Sequence, residues 1–218
     1  MKNCFLPLSL LALATLGCAS TGNEAPTAAA QSKPAYQTKA AAQPKPVAPP
    51  TQAEMMAAMM KAGTPTAEHK ALEAFVGTWD AKVTMWMDPK APPVESTGSM
   101  VNSMIYDGRY LEQKFVGDMG GMKFEGTGIW GFDVAAGQYV ATWHDSMSTG
   151  IMRSWGPKSM DGKTFVMKAA NTDPITGKES IGEETATIDS ADQNTMRMFE
   201  DRGGVKVKTM EIVYTRKK

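Results

Sequence analysis

Two histidines and two cysteines are all that the 218 residues contain, and this scarcity removes several chemistries at once. Cys4 and Cys18 both lie in the first 18 residues, ahead of any segment able to build a core. The remainder has no thiol, and so no disulfide, no thiolate metal site and no cysteine nucleophile. His69 and His144 cannot make a three-histidine zinc site, and the imidazole behind most general acid–base chemistry is scarce. Net charge is lacking too. The 23 basic and 23 acidic residues balance, which gives no electrostatic footprint for a nucleic acid. No metal, cofactor or nucleic-acid partner is expected.

Also missing near the start is an apolar run long enough to cross a bilayer. Phe5 to Leu16, behind Lys2, is too short. A charged start, an apolar middle and Gly17 at a cut site make a secretory signal over residues 1–17. Its removal takes Lys2 and leaves a net charge of −1. Cys18 directly after the cut resembles the lipobox of bacterial lipoproteins, with Thr15 where leucine is usual and Leu16 in the next slot. That resemblance implies lipid on Cys18, a membrane partner and a place in the cell envelope. Ala19 after the cysteine resembles the pattern sorted to the outer membrane. The competing reading is an ordinary signal cut after Ala19 or Ser20. Residues 18–50 are rich in alanine and proline, with almost nothing to bury. Such a stretch cannot offset its ordering entropy and is expected to be a disordered tether, ~3 Å per residue where polyproline-like.

Residues 51–75 read as helices. Thr51 to Glu54 is a capping box ahead of Met55 to Lys61, with Gly63 as the stop. Thr64 and Pro65 open a second helix that runs to about Phe75. From Gly77 the period changes to two. Candidate strands cover 78–87, 97–106, 109–117, 122–133, 138–146, 150–156, 163–171, 180–189, 194–201 and 205–216. Asp107-Gly108, Gly120-Gly121, Asp161-Gly162 and Gly203-Gly204 supply turn chemistry between them. About ten short antiparallel strands in sequence predict a mainly β fold over 76–218: a closed up-and-down barrel, wide enough inside for side chains or a small ligand.

Phe75-Val76-Gly77-Thr78-Trp79 resembles the opening of the calycin barrels, the lipocalin and fatty-acid-binding group. There a Gly-x-Trp starts the first strand and a basic residue on the last strand lies across the indole. The resemblance implies that Trp79 meets Arg216, a closure contact worth ~0.5–2 kcal/mol. Asp107 to Leu111, Phe124 to Gly128, Gly131 to Asp133, Trp143 to Ser146 and Asp173 to Lys178, in this order, resemble an uncharacterised bacterial family, domain of unknown function fifteen-seventy-nine. That family implies a calycin-like barrel and carries no settled activity. His144 stands where an apolar residue is expected in it.

Several motifs have a bland and a sharp reading. Gly126-Thr127-Gly128-Ile129-Trp130-Gly131 spells a dinucleotide fingerprint, but these glycines sit inside an alternating strand with no helix after them, so a bent strand is the better reading. His144, Asp145 and Ser146 have the letters of a catalytic triad, yet neighbours on a strand face opposite ways. Met55, Met56, Met59 and Met60 share a helical arc that suits Cu(I) or simple packing. His69 reads as a satisfied histidine under the barrel, with haem ligation as the sharper alternative. Glu183-Glu184 and Glu200-Asp201 alternate across faces, so neither pair presents two carboxylates at one point, and both read as solvated surface. Alternation points Arg109, Gln113, Trp130, Tyr139, Trp143, Asp145 and Met198 inward, a ligand site with Arg109 and Asp145 as its polar end. Three functions follow: a tethered binding module for a small apolar or amphipathic molecule, a filled scaffold, or an enzyme using Asp145, Arg109 or His144.

Overall fold

A computed structural model describes residues 48–88 and 90–218. Cys18, the signal segment and nearly all of the tether lie outside the described residues. Helix α1 spans Gln52–Ala62 and carries the expected capping box, with the Thr51 hydroxyl accepting from Glu54 N and the Glu54 carboxylate accepting from Thr51 N. No residue of α1 is buried. Helix α2 spans Ala67–Ala71 and runs into a 3-10 turn over Leu72–Phe75. Its cap is Thr66 rather than Thr64. His69 Nδ1 accepts from Thr66 N at 3.0 Å, which makes the buried imidazole part of the cap.

Ten antiparallel strands follow: β1 Gly77–Met85, β2 Val94–Ile105, β3 Tyr110–Met119, β4 Met122–Asp133, β5 Gln138–Asp145, β6 Met152–Gly156, β7 Thr164–Thr172, β8 Glu179–Ser190, β9 Gln193–Asp201 and β10 Lys206–Arg216. Each pairs with its sequence neighbour, and β10 returns to β1, so the sheet closes into a barrel. Closure leaves no unpaired edge. Most strands alternate inward apolar with outward polar residues, as a sheet with one buried face must.

The seam between β1 and β10 carries the closure contact. Trp79 and Arg216 are register partners, and the guanidinium lies 4.0 Å from the indole centroid. Arg216 also donates to Val76 O at 2.8 Å and Ala191 O at 2.9 Å. Trp79 Nε1 and Asn102 Nδ2 each donate to Phe75 O at 2.9 Å. One guanidinium, one indole and one amide thereby tie the helical segment to the strand ends. Gly77 makes the approach possible. It sits at φ 131, and a Cβ there would stand 2.5 Å from Arg216 Nη1.

Leu72 and Phe75 plug this end from inside. Phe75 meets Phe165 and Trp130 at centroid distances of 5.5 and 5.9 Å. A polar latch holds α2 outside that plug: the Tyr139 hydroxyl donates to the Glu68 carboxylate, and Lys158 Nζ donates to the same oxygen at 2.8 Å. The Lys158 and Tyr139 hydrogen bonds hold the Glu68 carboxyl below its ordinary range.

Trp79 is 1 % exposed, so Trp79→Ala is expected to cost roughly 3–5 kcal/mol. Arg216→Ala should cost less. A double-mutant cycle in denaturant is expected to show coupling between the two; additive losses would remove the closure contact as a source of stability.

Candidate functional site

The other end of the barrel is open. A cavity of about 420 Å³ runs down the lumen from the ends of β3 and β7 and the β5–β6 loop to Phe75 at the plug. The lumen is therefore not filled by its own side chains. A smaller cavity of about 140 Å³ adjoins it and shares Met152, Asn171 and Met198 with it.

Glycines keep the lumen hollow. Trp143 on β5 faces Gly128 across the β4 ladder, and its neighbour on that face, Asp145, faces Gly126. A Cβ at Gly126 would stand 2.2 Å from the Trp143 ring, and one at Gly128 would stand 2.9 Å from it. The indole consequently lies flat on the wall instead of projecting across the barrel. Its Nε1 donates to Asp145 Oδ2 at 3.1 Å. Asp145 Oδ1 accepts from Met147 N at 2.9 Å, which ties the start of the β5–β6 loop to the rim. The same device recurs at Phe115, whose ring overlies the paired Gly98 and Gly117. Cβ atoms there would stand 2.3 and 2.7 Å from it. The glycines that spell a nucleotide fingerprint are seats for an indole, and no helix follows them.

Of the residues that alternation pointed inward, Gln113, Trp130, Trp143, Asp145 and Met198 line the cavity together. Arg109 and Tyr139 do not. Arg109 precedes β3, in a turn where Tyr106, Asp107 and Gly108 all have positive φ. The period-two pattern does not extend through such a turn, so its side chain leaves the barrel. Arg109 Nε donates to Gly63 O at 3.0 Å and Nη1 to Tyr106 O at 3.0 Å, at the plugged end. An Arg109–Asp145 pair is thus excluded. Tyr139 points inward but belongs to the plug, with its hydroxyl taken by Glu68. His144 is exposed opposite Thr127, and Ser146 Oγ accepts from Glu125 N, so the triad letters do not converge.

The residue that the sequence misplaced is Glu184. The Glu183-Glu184 pair straddles the wall: Glu183 pairs with Lys206 outside, whereas Glu184 is 5 % exposed and faces the lumen. Its Oε2 accepts from Ser154 Oγ at 2.7 Å. Ser154 is on β6, two strands away; its β7 partner is the small Ala169, whereas Glu184 pairs with Met167, so the two meet on a diagonal across β7. Strict alternation places one of two adjacent glutamates inside any strand. The flanking Gly182 and Ala186 were the signal that this strand's inward set is 182, 184 and 186. Burial pushes the Glu184 carboxyl above its ordinary range, against a weaker opposing pull from the Ser154 hydroxyl. Tyr214, also buried on the cavity wall, is pushed up by burial and by the neighbouring Glu184 carboxylate.

The lining is mostly apolar, and seven of its residues are methionines, unbranched side chains that reshape around a guest. Its ionisable groups are Asp118, Asp145, Glu184 and Tyr214; no lysine, arginine or histidine lines it among the described residues.

A raised folded-state pKa means that the native state holds the Glu184 proton more tightly than the unfolded chain. Stability from this group is full below about 4.5, the ordinary value, and declines as pH rises toward the folded-state value, by at most ~1.4 kcal/mol per pH unit. The unfolding free energy of the wild type relative to Glu184→Gln is therefore expected to fall as pH rises from 4.5. A difference that stays flat with pH would contradict a buried, protonated carboxyl.

The fold has counterparts among solved structures. Rv2717c from M. tuberculosis is similar at a TM-score of 0.53 and 16 % identity, over 71 % of this chain and 100 % of that one. The S-type phycobiliprotein lyase CPES from Guillardia theta is similar at 0.48 and 10 % identity, over 73 % and 97 %. A redesigned β-barrel is similar at 0.39 and 17 % identity, over 68 % and 96 %. No curated protein matches the chain. Residues 64–216, the helical plug and the whole barrel, match the family described as Protein of unknown function (DUF1579), and the chain belongs to that family.

Proposed function

We propose that this protein is a lipid-anchored binding module of the bacterial envelope that holds a small apolar or amphipathic molecule in its barrel. The observation that carries this reading is the hollow lumen. Its volume of about 420 Å³ falls within the ~300–1,000 Å³ of small-molecule sites, and its apolar wall with a few polar groups is their usual make-up. A scaffold with a filled barrel has no use for glycine seats that hold two rings out of the lumen. An enzyme is disfavoured by the arrangement of the candidate groups: Asp145 is engaged by Trp143 and Met147, while His144 and Arg109 lie outside the cavity.

Trp130 and Trp143 both line the lumen and report occupancy. Titration with a panel of hydrophobic dyes is expected to give saturable tryptophan quenching. Met198→Trp, which places a large ring in the lumen beside Glu184, should weaken binding about tenfold or more, and Arg109→Ala should leave it unchanged. Absence of saturable quenching across the panel would return the barrel to a scaffold.

The anchor rests on the sequence alone. Acyl chains on Cys18, at ~0.8 kcal/mol per buried methylene, suffice for stable attachment when two or more are present. The tether would then hold the barrel off the membrane, on the periplasmic side of the outer membrane. Cys18→Ala is expected to move the protein from the membrane pellet to the soluble fraction. A variant that pellets like the wild type would rule out lipid anchoring.

A further inference from the structure

We propose that the lumen selects a ligand whose inner polar end is an uncharged carbonyl, received by Glu184, and that it rejects carboxylates. This rests on the lumen being a binding site and adds the class of molecule that fits it.

The charges decide the matter. Every acidic or basic group on the cavity wall is acidic: Asp118 and Asp145 near the mouth, Glu184 within. A ligand with an anionic head would enter a low-dielectric tube against two carboxylates at the rim and find no cation inside to offset its lost hydration. Carriers of fatty acids need such a cation, and the arginine that could have served here is at the opposite end, bound to Gly63 O and Tyr106 O.

Glu184 has its own desolvation problem, solved by a proton. Ser154 Oγ–H donates to Oε2, and no other described residue bonds this carboxyl. Two strands flank β8, and their inward residues beside Glu184 are Met167 and Met198. The cations of this region face outward: Lys206 pairs with Glu183, Arg197 with Glu211 and Arg153 with Glu179. Lys168, next to Met167, is exposed. Tyr214 on β10 is the one other titratable group facing Glu184 from inside, and it keeps its proton at neutral pH because burial raises its pKa. A neutral carboxyl has one O–H to give. With Oε2 occupied by Ser154, that O–H is carried on Oε1, which has no partner among the described residues. It is also not sealed off from space, since the one fully enclosed unpaired side-chain oxygen among those residues is Asn102 Oδ1. The Tyr214 hydroxyl is likewise unpaired and on the cavity wall. On β9 Tyr214 faces Asn194 and Glu184 faces Met198, so the Glu184 O–H alone is the donor that receives a carbonyl oxygen here. The apolar body then lies along the methionines toward the mouth.

The test compares methyl undecyl ketone and tridecanoic acid, of equal carbon number, by tryptophan quenching with the full chain at neutral pH. The ketone is expected to bind at least about tenfold tighter than the acid. Its affinity should fall as pH rises through the Glu184 titration. In Glu184→Gln, whose amide still donates, ketone binding should persist and its pH dependence should vanish; Glu184→Leu should weaken the ketone about tenfold. A carboxylate that binds as tightly as the ketone would overturn the proposal while leaving the lumen as a site. So would a pH dependence unaltered in Glu184→Gln. Failure of both probes to bind would overturn the lumen reading itself. The wild-type comparison needs no variant to fold.

Discussion

The rest of the structure depends on a steric constraint: two aromatic rings must lie flat against the wall. A ten-strand barrel has an interior that Trp143 and Phe115 could fill. Glycine at 126 and 128, and at 98 and 117, removes the Cβ atoms that would lift those rings off the sheet. Both rings then line the chamber, Phe115 while packing edge-on against Phe124 at 5.7 Å. The apolar surface that a core would normally consume inside itself is left facing a chamber. Stability has to be found elsewhere, and it is found at the plug and the seam, where Trp79, Phe75, Leu72 and Phe165 are almost fully buried.

That division gives the barrel two ends with different physics. The plugged end is crowded with directional contacts: Arg216 over Trp79, Tyr139 and Lys158 on Glu68, Arg109 on the helix terminus. The open end has methionines, a loop held to the rim by Asp145, and carboxylates. Charge of both signs is spent on the outside and at the plug, while the chamber keeps acidic groups alone. Burial pushes the Glu184 carboxyl above its ordinary range, which favours the neutral form over the ionic one that the sequence suggests. Among the described residues, α1 with its exposed methionines packs nothing of its own into the barrel.

The barrel was legible because period-two alternation and dipeptide turns are local signals. The Gly-x-Trp opening and the arginine on the last strand also pointed to the seam, since that contact is fixed by the two chain ends of a closed sheet. The site was legible only where strands are regular. Gln113, Trp130, Trp143, Asp145 and Met198 lie in unbroken alternation. Arg109 lies just beyond it, after three residues of positive φ, and parity cannot be carried through such a turn. Tyr139 has the right parity, but how far down the barrel the helical segment reaches depends on tertiary packing. For Glu183-Glu184 the alternation across faces was legible, and it excluded a paired carboxylate site, but the expectation that charges stay in solvent gave no reason to place Glu184 alone in the lumen. The role of the glycine run was equally illegible, since nothing local says that an indole from the next strand will lie on it.

The most direct test of a ligand-holding lumen is methionine-methyl NMR of the full chain during titration with a lipid extract. Met196, Met198 and Met210 line the chamber, while Met55, Met56, Met59 and Met60 lie on the exposed helix. Saturable shifts in the first set with the second unmoved are the expected result. Lumen methyls that stay fixed at saturating extract, or shifts confined to the helix, would contradict a binding chamber inside the barrel.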